Sequence, residues 1–400
     1  MKRYRIAVFH NLPPGGALRA LVSWAEILSR FGDIDLYHMR GEGAEQLNLD
    51  KYVKNEYACF YRPLAVCSRP LRYLRFIINI INYFRYTLLS LKIARKINNS
   101  GCDFVFMDLC MYYHLGPLSL FARPPVFSFL HEYYRMVFDP AVSEKSLRGR
   151  LMQVLNGPYR VCLRTVNKLC VRKLSYVMCN SKYSGAMLKN IYGISPELNY
   201  LWADERVFYY DPAVKKEYYY LTVGVLHEIK GFAFLLEALA RLPENIRYPL
   251  YLITPYLNDY AETLKQAAER QNVRLIILSA LTDAEVAGRY RGAFLTLFAP
   301  EKEPFGYVPI ESMSCGTPVI GVAEGGLQET ILDGKTGFLC RRDPADFAGK
   351  IRQLADDEKL YGAFRDDCLK WADEMWTGAK GRQRMEESMA KMLKRLKLKI

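Results

Sequence analysis

The chain has 400 residues, of which half are hydrophobic and 13 % aromatic; this excludes a disordered protein and exceeds what one ordinary core holds, so two domains are expected. No segment reaches the ~18 uncharged apolar residues that span a bilayer. The net charge of +14 is uneven, with +13 on residues 1–212, −5 on 213–376 and +6 on 377–400. A basic first half needs an anionic partner, nucleic acid and an anionic membrane face being the obvious two.

In chain order, a basic start leads into Ile6-Ala7-Val8-Phe9, a run only one strand long that Pro13-Pro14-Gly15-Gly16 ends. It reads as a first strand of a cytoplasmic protein rather than as a signal peptide. Leu18, Leu21, Val22, Ala25 and Leu28 then follow at helical spacing. The next strand is Asp35 to Met39; Asp33-Ile34-Asp35 resembles a metal-binding D-x-D but is read as the turn before that strand. Residues 51–100 carry ten basic residues and one acid, Glu56. Within them Arg72, Arg75, Arg85, Lys92, Arg95 and Lys96 interleave with apolar residues from Phe76 to Leu89. The pattern predicts a largely buried helix with a basic, aromatic edge, which can lie on an anionic membrane or be a core helix with a solvated face. Phe104 to Met107 and Val126 to Leu130 are buried strands followed by polar residues, His131 after the second. Val177 to Asn180 is another strand, leading into Ser181 and a helix.

The second half restarts the pattern. Strands are predicted at Tyr219–Val223, Leu250–Ile253, Leu275–Leu278, Leu295–Phe298 and Pro318–Val322, with helices between and Lys230-Gly231 entering the first of these helices. Strand–helix alternation predicts two doubly wound parallel sheets, with the boundary near 205–217. Ten cysteines show no close pair of metal or redox spacing, and with five histidines no metal centre is expected.

After the strand at Leu295–Phe298 the chain reads Glu303-Pro304-Phe305-Gly306-Tyr307-Val308-Pro309-Ile310-Glu311. Pro309 is read as starting a helix and Glu311 as its first-turn acid. Free amides at that terminus can bind hydroxyl or phosphate oxygens, Gly306 admits close backbone approach, and carboxylates suit vicinal hydroxyls. Gly325-Gly326 forms a second glycine turn before Glu329.

The run from Glu303 to Gly337 resembles the signature of the family-4, GT-B-fold retaining glycosyltransferases of the group 1 superfamily. It shows E-P-F-G-x-x-x-x-E, then C-G-T-P-V-I, G-G-x-x-E and D-G-x-T-G-F-L. The resemblance extends to Gly15-Gly16, His131, Asn180-Ser181 and Gly224-x-Leu226-x-x-x-Lys230-Gly231. It implies that Glu311 holds the ribose hydroxyls, that Glu303 sits at the donor sugar and that Lys230 pairs with the diphosphate. Backbone at Phe305, Gly306, Tyr307 and Val308 would bind the donor, Gly15 and Gly16 would admit phosphate or acceptor, and His131 would contact the sugar. The sequence departs from the pattern at Val225, where the family has arginine, at Trp202 in place of a linker glycine, and at Thr254-Pro255.

The expected fold is therefore α/β of the GT-B class, two Rossmann-like domains facing across a cleft. Residues 1–208 form the acceptor-side domain, 209–376 the nucleotide-sugar domain, and 377–400 a helix packing back on the first. The expected function is metal-independent, retaining transfer of a hexose from a UDP- or GDP-sugar, without cofactor, to a membrane-associated glycolipid or lipid-linked saccharide. The protein would be cytoplasmic and able to lie on the inner face of the plasma membrane. A soluble sugar acceptor is the alternative within this class. A basic nucleic-acid-binding protein or a non-enzymatic sugar-nucleotide-binding protein is the alternative outside it, although no nucleic-acid partner is expected.

Overall fold

A computed structural model describes residues 3–12, 15–40, 49–64, 75–139 and 147–396. Pro13, Pro14, Cys67 and Arg72, on which sequence readings rested, lie outside the described residues, as do residues 397–400 of the basic tail. The chain divides into two compact units. Residues 1–180, 184–199 and 384–400 form the first, and 181–183 with 200–383 the second.

The first unit is built on seven strands, β1 (Tyr4–Asn11), β2 (Gly32–Arg40), β3 (Val53–Phe60), β4 (Phe104–Cys110), β5 (Val126–Leu130), β6 (Tyr176–Cys179) and β7 (Glu197–Leu198). Their order is β3-β2-β1-β4-β5-β6-β7 and every pairing is parallel. β4 and β5 are apolar almost throughout because helices cover both faces of such a sheet. The helix Gly16–Phe31 anchors one face through Trp24, fully buried against Phe106 and Phe129. The helix Gly378–Arg395 runs from the second unit into the first, and its Met389, Met392 and Leu393 are fully buried.

Two expectations are corrected here. β2 begins at Gly32, so Asp33-Ile34-Asp35 is strand, not turn. Asp33 pairs with Arg3 and Lys54, and Asp35 with Arg5 and Asn55, which uses their carboxylates structurally. The helix Arg75–Asn98 is also less buried than predicted. Ile77, Ile80, Ile81, Phe84 and Leu88 are 42–61 % exposed, while Asn82 and Ser90 face inward. Asn82 is inside because it holds both backbone polar groups of Leu64.

The second unit holds six parallel strands, β8 (Tyr220–Val223), β9 (Leu250–Thr254), β10 (Leu275–Ser279), β11 (Leu295–Phe298), β12 (Val319–Val322) and β13 (Gly337–Cys340), in the order β10-β9-β8-β11-β12-β13. Both sheets thus run outward from the first strand in one direction and then reverse. Each has a switch point, between β1 and β4 and between β8 and β11, where crossover connections diverge and leave a crevice at the carboxyl ends. Among the described residues, no helix is long and apolar enough to cross a membrane.

If the last helix completes the first unit, Met389→Ala leaves a cavity in a fully buried site and lowers unfolding free energy by about 2–5 kcal/mol. Chemical denaturation checks this; a loss under about 0.5 kcal/mol, the range of surface changes, would contradict it.

Candidate active site

At the switch point of the second sheet, the loop after β8 and the loop after β11 lie side by side. The first ends in a short 3-10 turn, Glu228–Lys230, before the helix Phe232–Leu239; the second carries Glu301 to Glu303. Lys230 Nζ lies 2.8 Å from Glu303 Oε2, with the two side chains 26 % and 19 % exposed. A pair this accessible contributes little to folding by itself. Its interest is its place, at the carboxyl edge of a parallel sheet where ligands bind.

Backbone packing, not the ion pair, fixes this geometry. The amide of Glu301 donates to Ile229 O at 2.8 Å, tying the two loops together. Gly231 sits at φ 71°, and a Cβ there would lie 2.0 Å from Ala299 O, so only glycine allows the approach. On the other side Gly326 N donates to Glu303 O at 2.8 Å, and a Cβ on Gly325 or Gly326 would meet the oxygen of Glu303 or Pro304 at 2.3–2.4 Å. Arg342 completes the frame. It grips Glu324 with two bonds of 2.7 and 2.9 Å and donates to Ala299 O and Pro300 O, while Glu324 accepts from Lys302 N. This arginine–glutamate latch carried no signal in the sequence: Glu324 abuts the Gly325-Gly326 turn, but its partner Arg342 is 18 positions away and only the fold brings the two together.

The helix that follows spans Tyr307–Ser314, with Gly306 at φ 97° as its N-cap and no side chain capping it. Pro309 is therefore its third residue rather than its first, and Glu311 lies in the second turn rather than the first, contrary to the sequence reading. The left-handed Gly306 starts the helix two residues earlier than a proline-led start would. First-turn amides have no partner four residues back, and they form the positive end of the helix dipole. Glu311 is 2 % exposed and accepts a 3.2 Å bond from the Tyr290 hydroxyl, a partner the sequence did not indicate. Phe305 and Val308 are buried, and Tyr307 is partly exposed. Glu329 receives the amides of Lys182 and Tyr183 and the Tyr200 hydroxyl at 2.7–2.8 Å, a role in holding backbone.

Gly15, Gly16 and His131 belong to the first unit, with Gly15 and Gly16 after β1 and His131 after β5. Gly15 has φ 151° and open space where a Cβ would be, and Gly16 opens the helix Gly16–Phe31. His131 is 9 % exposed, its ring edge-on to Phe129, with Nε2 3.9 Å from Oδ1 of the fully buried Asp108. Burial, then the charge of His114, pushes His131 down to about 4. Burial lifts Asp108 up to about 7, against the pull of its bond from the Leu109 amide. Asp108 is the polar residue that the sequence reading places after the strand Phe104–Met107, with no role given to it; the strand runs on to Cys110 and holds it inside. Of the other histidines, His10 is pushed down to about 3 by burial, His38 contacts Glu56, His114 contacts Glu132 O, and His227 accepts from Ile229 N. Among the described residues no group of three or more His, Cys, Asp or Glu is arranged to hold a metal.

With this geometry in place, residues 211–371 match the family described as "Glycosyl transferases group 1". Over that segment, about two fifths of its length, the chain is similar to the group 1 glycosyltransferases. The alpha-1,3/1,6-mannosyltransferase ALG2 of Mus musculus is 24 % identical over 262 residues, covering 59 % of this chain and 63 % of the relative. The N-acetyl-alpha-D-glucosaminyl L-malate synthase of Bacillus anthracis is 30 % identical, covering 40 % and 45 %. The chain thus spans less than two thirds of the length of these curated relatives. Among solved structures, Anabaena Alr3699/HepE in complex with UDP and glucose superposes with a TM-score of 0.70 at 19 % identity, covering 97 % of this chain and 100 % of that one. The sucrose-phosphate synthase of Thermosynechococcus elongatus gives 0.73 at 18 % identity, covering 98 % and 100 %. The fold class is GT-B, as the sequence predicted: two parallel-sheet α/β domains of seven and six strands.

The glycine frame around Glu303 is testable apart from function. Gly231→Ala adds a Cβ where φ is positive and a carbonyl oxygen stands 2.0 Å away, so it should destabilise the second unit by more than the ~1 kcal/mol of a simple glycine-to-alanine strain. Calorimetry with an unchanged melting temperature would contradict the packing described.

Proposed function

We propose that the protein transfers a sugar, with retention of configuration, from a nucleoside-diphosphate sugar to a saccharide acceptor at a membrane surface. The observation that carries this reading is the Lys230–Glu303 pair at the switch point beside an uncapped helix start, inside a segment matching the group 1 glycosyltransferases. Lys230 offers a cation and the helix start offers amides, which together suit a diphosphate whose charge grows as the sugar leaves. Glu303 would engage the sugar and Glu311 the ribose hydroxyls. The backbone of residues 305–308 would bind sugar or phosphate oxygens, and Gly15, Gly16 and His131 would face donor or acceptor from the first unit's sheet edge. In this reading Lys230 and Glu303 neutralise one another until a diphosphate takes over the lysine. No metal enters the scheme, since lysine and helix dipole supply the positive charge. UDP or GDP is the proposed carrier; UDP and glucose are named in the solved Anabaena complex.

The membrane part of the proposal rests on the helix Arg75–Asn98. Its exposed Ile77, Ile80, Ile81, Phe84 and Leu88 fall at helical spacing, and Arg85, Lys92 and Arg95 are exposed among and beyond them. An apolar stripe flanked by cations suits an interface with anionic lipid, at roughly 1 kcal/mol for each basic residue near the headgroups. The cytoplasmic face of a plasma membrane carries such lipid.

Kinetics with the nucleotide sugar that the wild type turns over provide the test. Glu303→Gln should lower kcat by about 10²–10³, and Lys230→Ala should lower kcat/KM by a similar factor, with EDTA leaving the wild-type rate unchanged. Glu311→Ala should weaken donor binding by about 1–3 kcal/mol. Wild-type constants in both glutamate variants would remove the assignment. For the surface, vesicles with anionic lipid should float the wild type at low salt and should release Phe84→Asp; no flotation at low salt would count against a membrane acceptor.

A further inference from the structure

Three neighbouring strands of the first unit end in buried polar atoms that have no hydrogen-bond partner among the described residues. They are Oδ2 of Asp108 near the end of β4, Nε2 of His131 just after β5 and Oδ1 of Asn180 just after β6. Asp108 is 0 %, Asn180 3 % and His131 9 % exposed. Leaving a buried polar atom unpaired is costly, so each such atom calls for an explanation. Their position is also informative, since the carboxyl edge of a doubly wound sheet is where ligands meet the protein.

Within this cluster, Asp108 and His131 stand in a particular relation. Nε2 of the imidazole is buried and faces Asp108 Oδ1 at 3.9 Å, while the side chain as a whole keeps 11 % exposure. The exposed part of the ring is therefore not Nε2. A gap of 3.9 Å is longer than a hydrogen bond; one bridging water or a small ring rotation closes it, as happens when ligand-free sites tighten. We propose that Asp108 is the positioning residue for His131: its carboxylate accepts from Nε2–H, holds the imidazole in one neutral tautomer, and leaves Nδ1 as a hydrogen-bond acceptor for a hydroxyl group. This deepens the proposed function and rests on it only for the identity of that hydroxyl, a saccharide's.

The logic is that of a carboxylate fixing a histidine tautomer from behind. A neutral ring agrees with burial pushing His131 down to about 4, and ionised Asp108 requires a pH above the value near 7 to which burial lifts it. The other titratable groups nearby are His114, whose Nε2 contacts Glu132 O, and Glu132 itself. A buried, neutral His114 does not compete for the Asp108 carboxylate, its Nε2 being already engaged.

Ring nitrogen NMR on the full-length chain labelled with [15N]histidine tests this at pH 8 without any ligand. Five histidines give few signals, and His131→Gln identifies the one that matters. The wild type should show a neutral ring protonated on Nε2 with Nδ1 bare. Asp108→Asn, which keeps the shape but removes the charge, should cut the ratio of the Nε2–H to the Nδ1–H form by about tenfold, as a charge-assisted bond becomes an ordinary one. A wild-type ring carrying its proton on Nδ1 would overturn the proposal, even if the asparagine variant failed to fold. An unchanged ratio in folded Asp108→Asn would overturn it equally. Because no donor is present, these outcomes are independent of whether a nucleotide sugar is ever turned over.

Discussion

The second unit depends on how closely the backbone after β11 can be packed. Gly231 lets Ala299 O approach from one side, and Gly325 and Gly326 let Glu303 O and Pro304 O approach from the other. With no side chains in the way, the loop is held by its own amides and by the Arg342–Glu324 latch. Everything proposed for the site follows from that clamp. Glu303 is delivered to Lys230, Gly306 turns in a left-handed conformation, and the helix Tyr307–Ser314 starts from a glycine that offers no side-chain cap.

This arrangement places charge where parallel sheets recognise ligands. A switch point offers a crevice, and a helix start offers a positive end; neither specifies chemistry alone. A lysine paired with a glutamate at that point supplies a cation and a carboxylate within one hydrogen-bond length. The protein keeps a partly exposed ion pair there, which contributes little to stability. The two sheets repeat one topology, but the first sheet's edge is furnished differently, with one atom each of an acid, an imidazole and an amide buried without a hydrogen-bond partner among the described residues.

The fold class was legible because its signals are local and repetitive: short apolar strands, polar residues at their ends, helices between. What escaped has physical reasons. β3 lies at the sheet's outer edge with Lys54, Asn55 and Glu56 all exposed in succession, and so looks like loop. β13 is four residues starting at glycine. Asp33-Ile34-Asp35 reads as a turn because it stands just before the apolar part of β2, yet it is strand, and arginines and a lysine compensate its acids. At the site, Glu303, Glu311 and Lys230 were read from contiguous runs. Pro309 misled the helix start by two residues, since a glycine in the left-handed region can cap a helix as well as proline can begin one. Tyr290, Asp108 and Arg342 could not be read, because each acquires meaning only from a residue far away in sequence that the topology brings beside it.

The central claim is that the clamp at the second switch point grips the diphosphate of a sugar nucleotide. Thermal shift of the wild type against UDP, GDP and ADP addresses it most directly, because binding to the folded state alone adds about 2.7 kcal/mol at a hundredfold excess over Kd. One of the three should raise the melting temperature by several degrees, and Lys230→Ala should abolish the rise without lowering the unliganded melting point by more than a degree or two. If none of the three nucleotides shifts the wild type at millimolar concentration, or if the lysine variant responds as the wild type does, the clamp is not a diphosphate site.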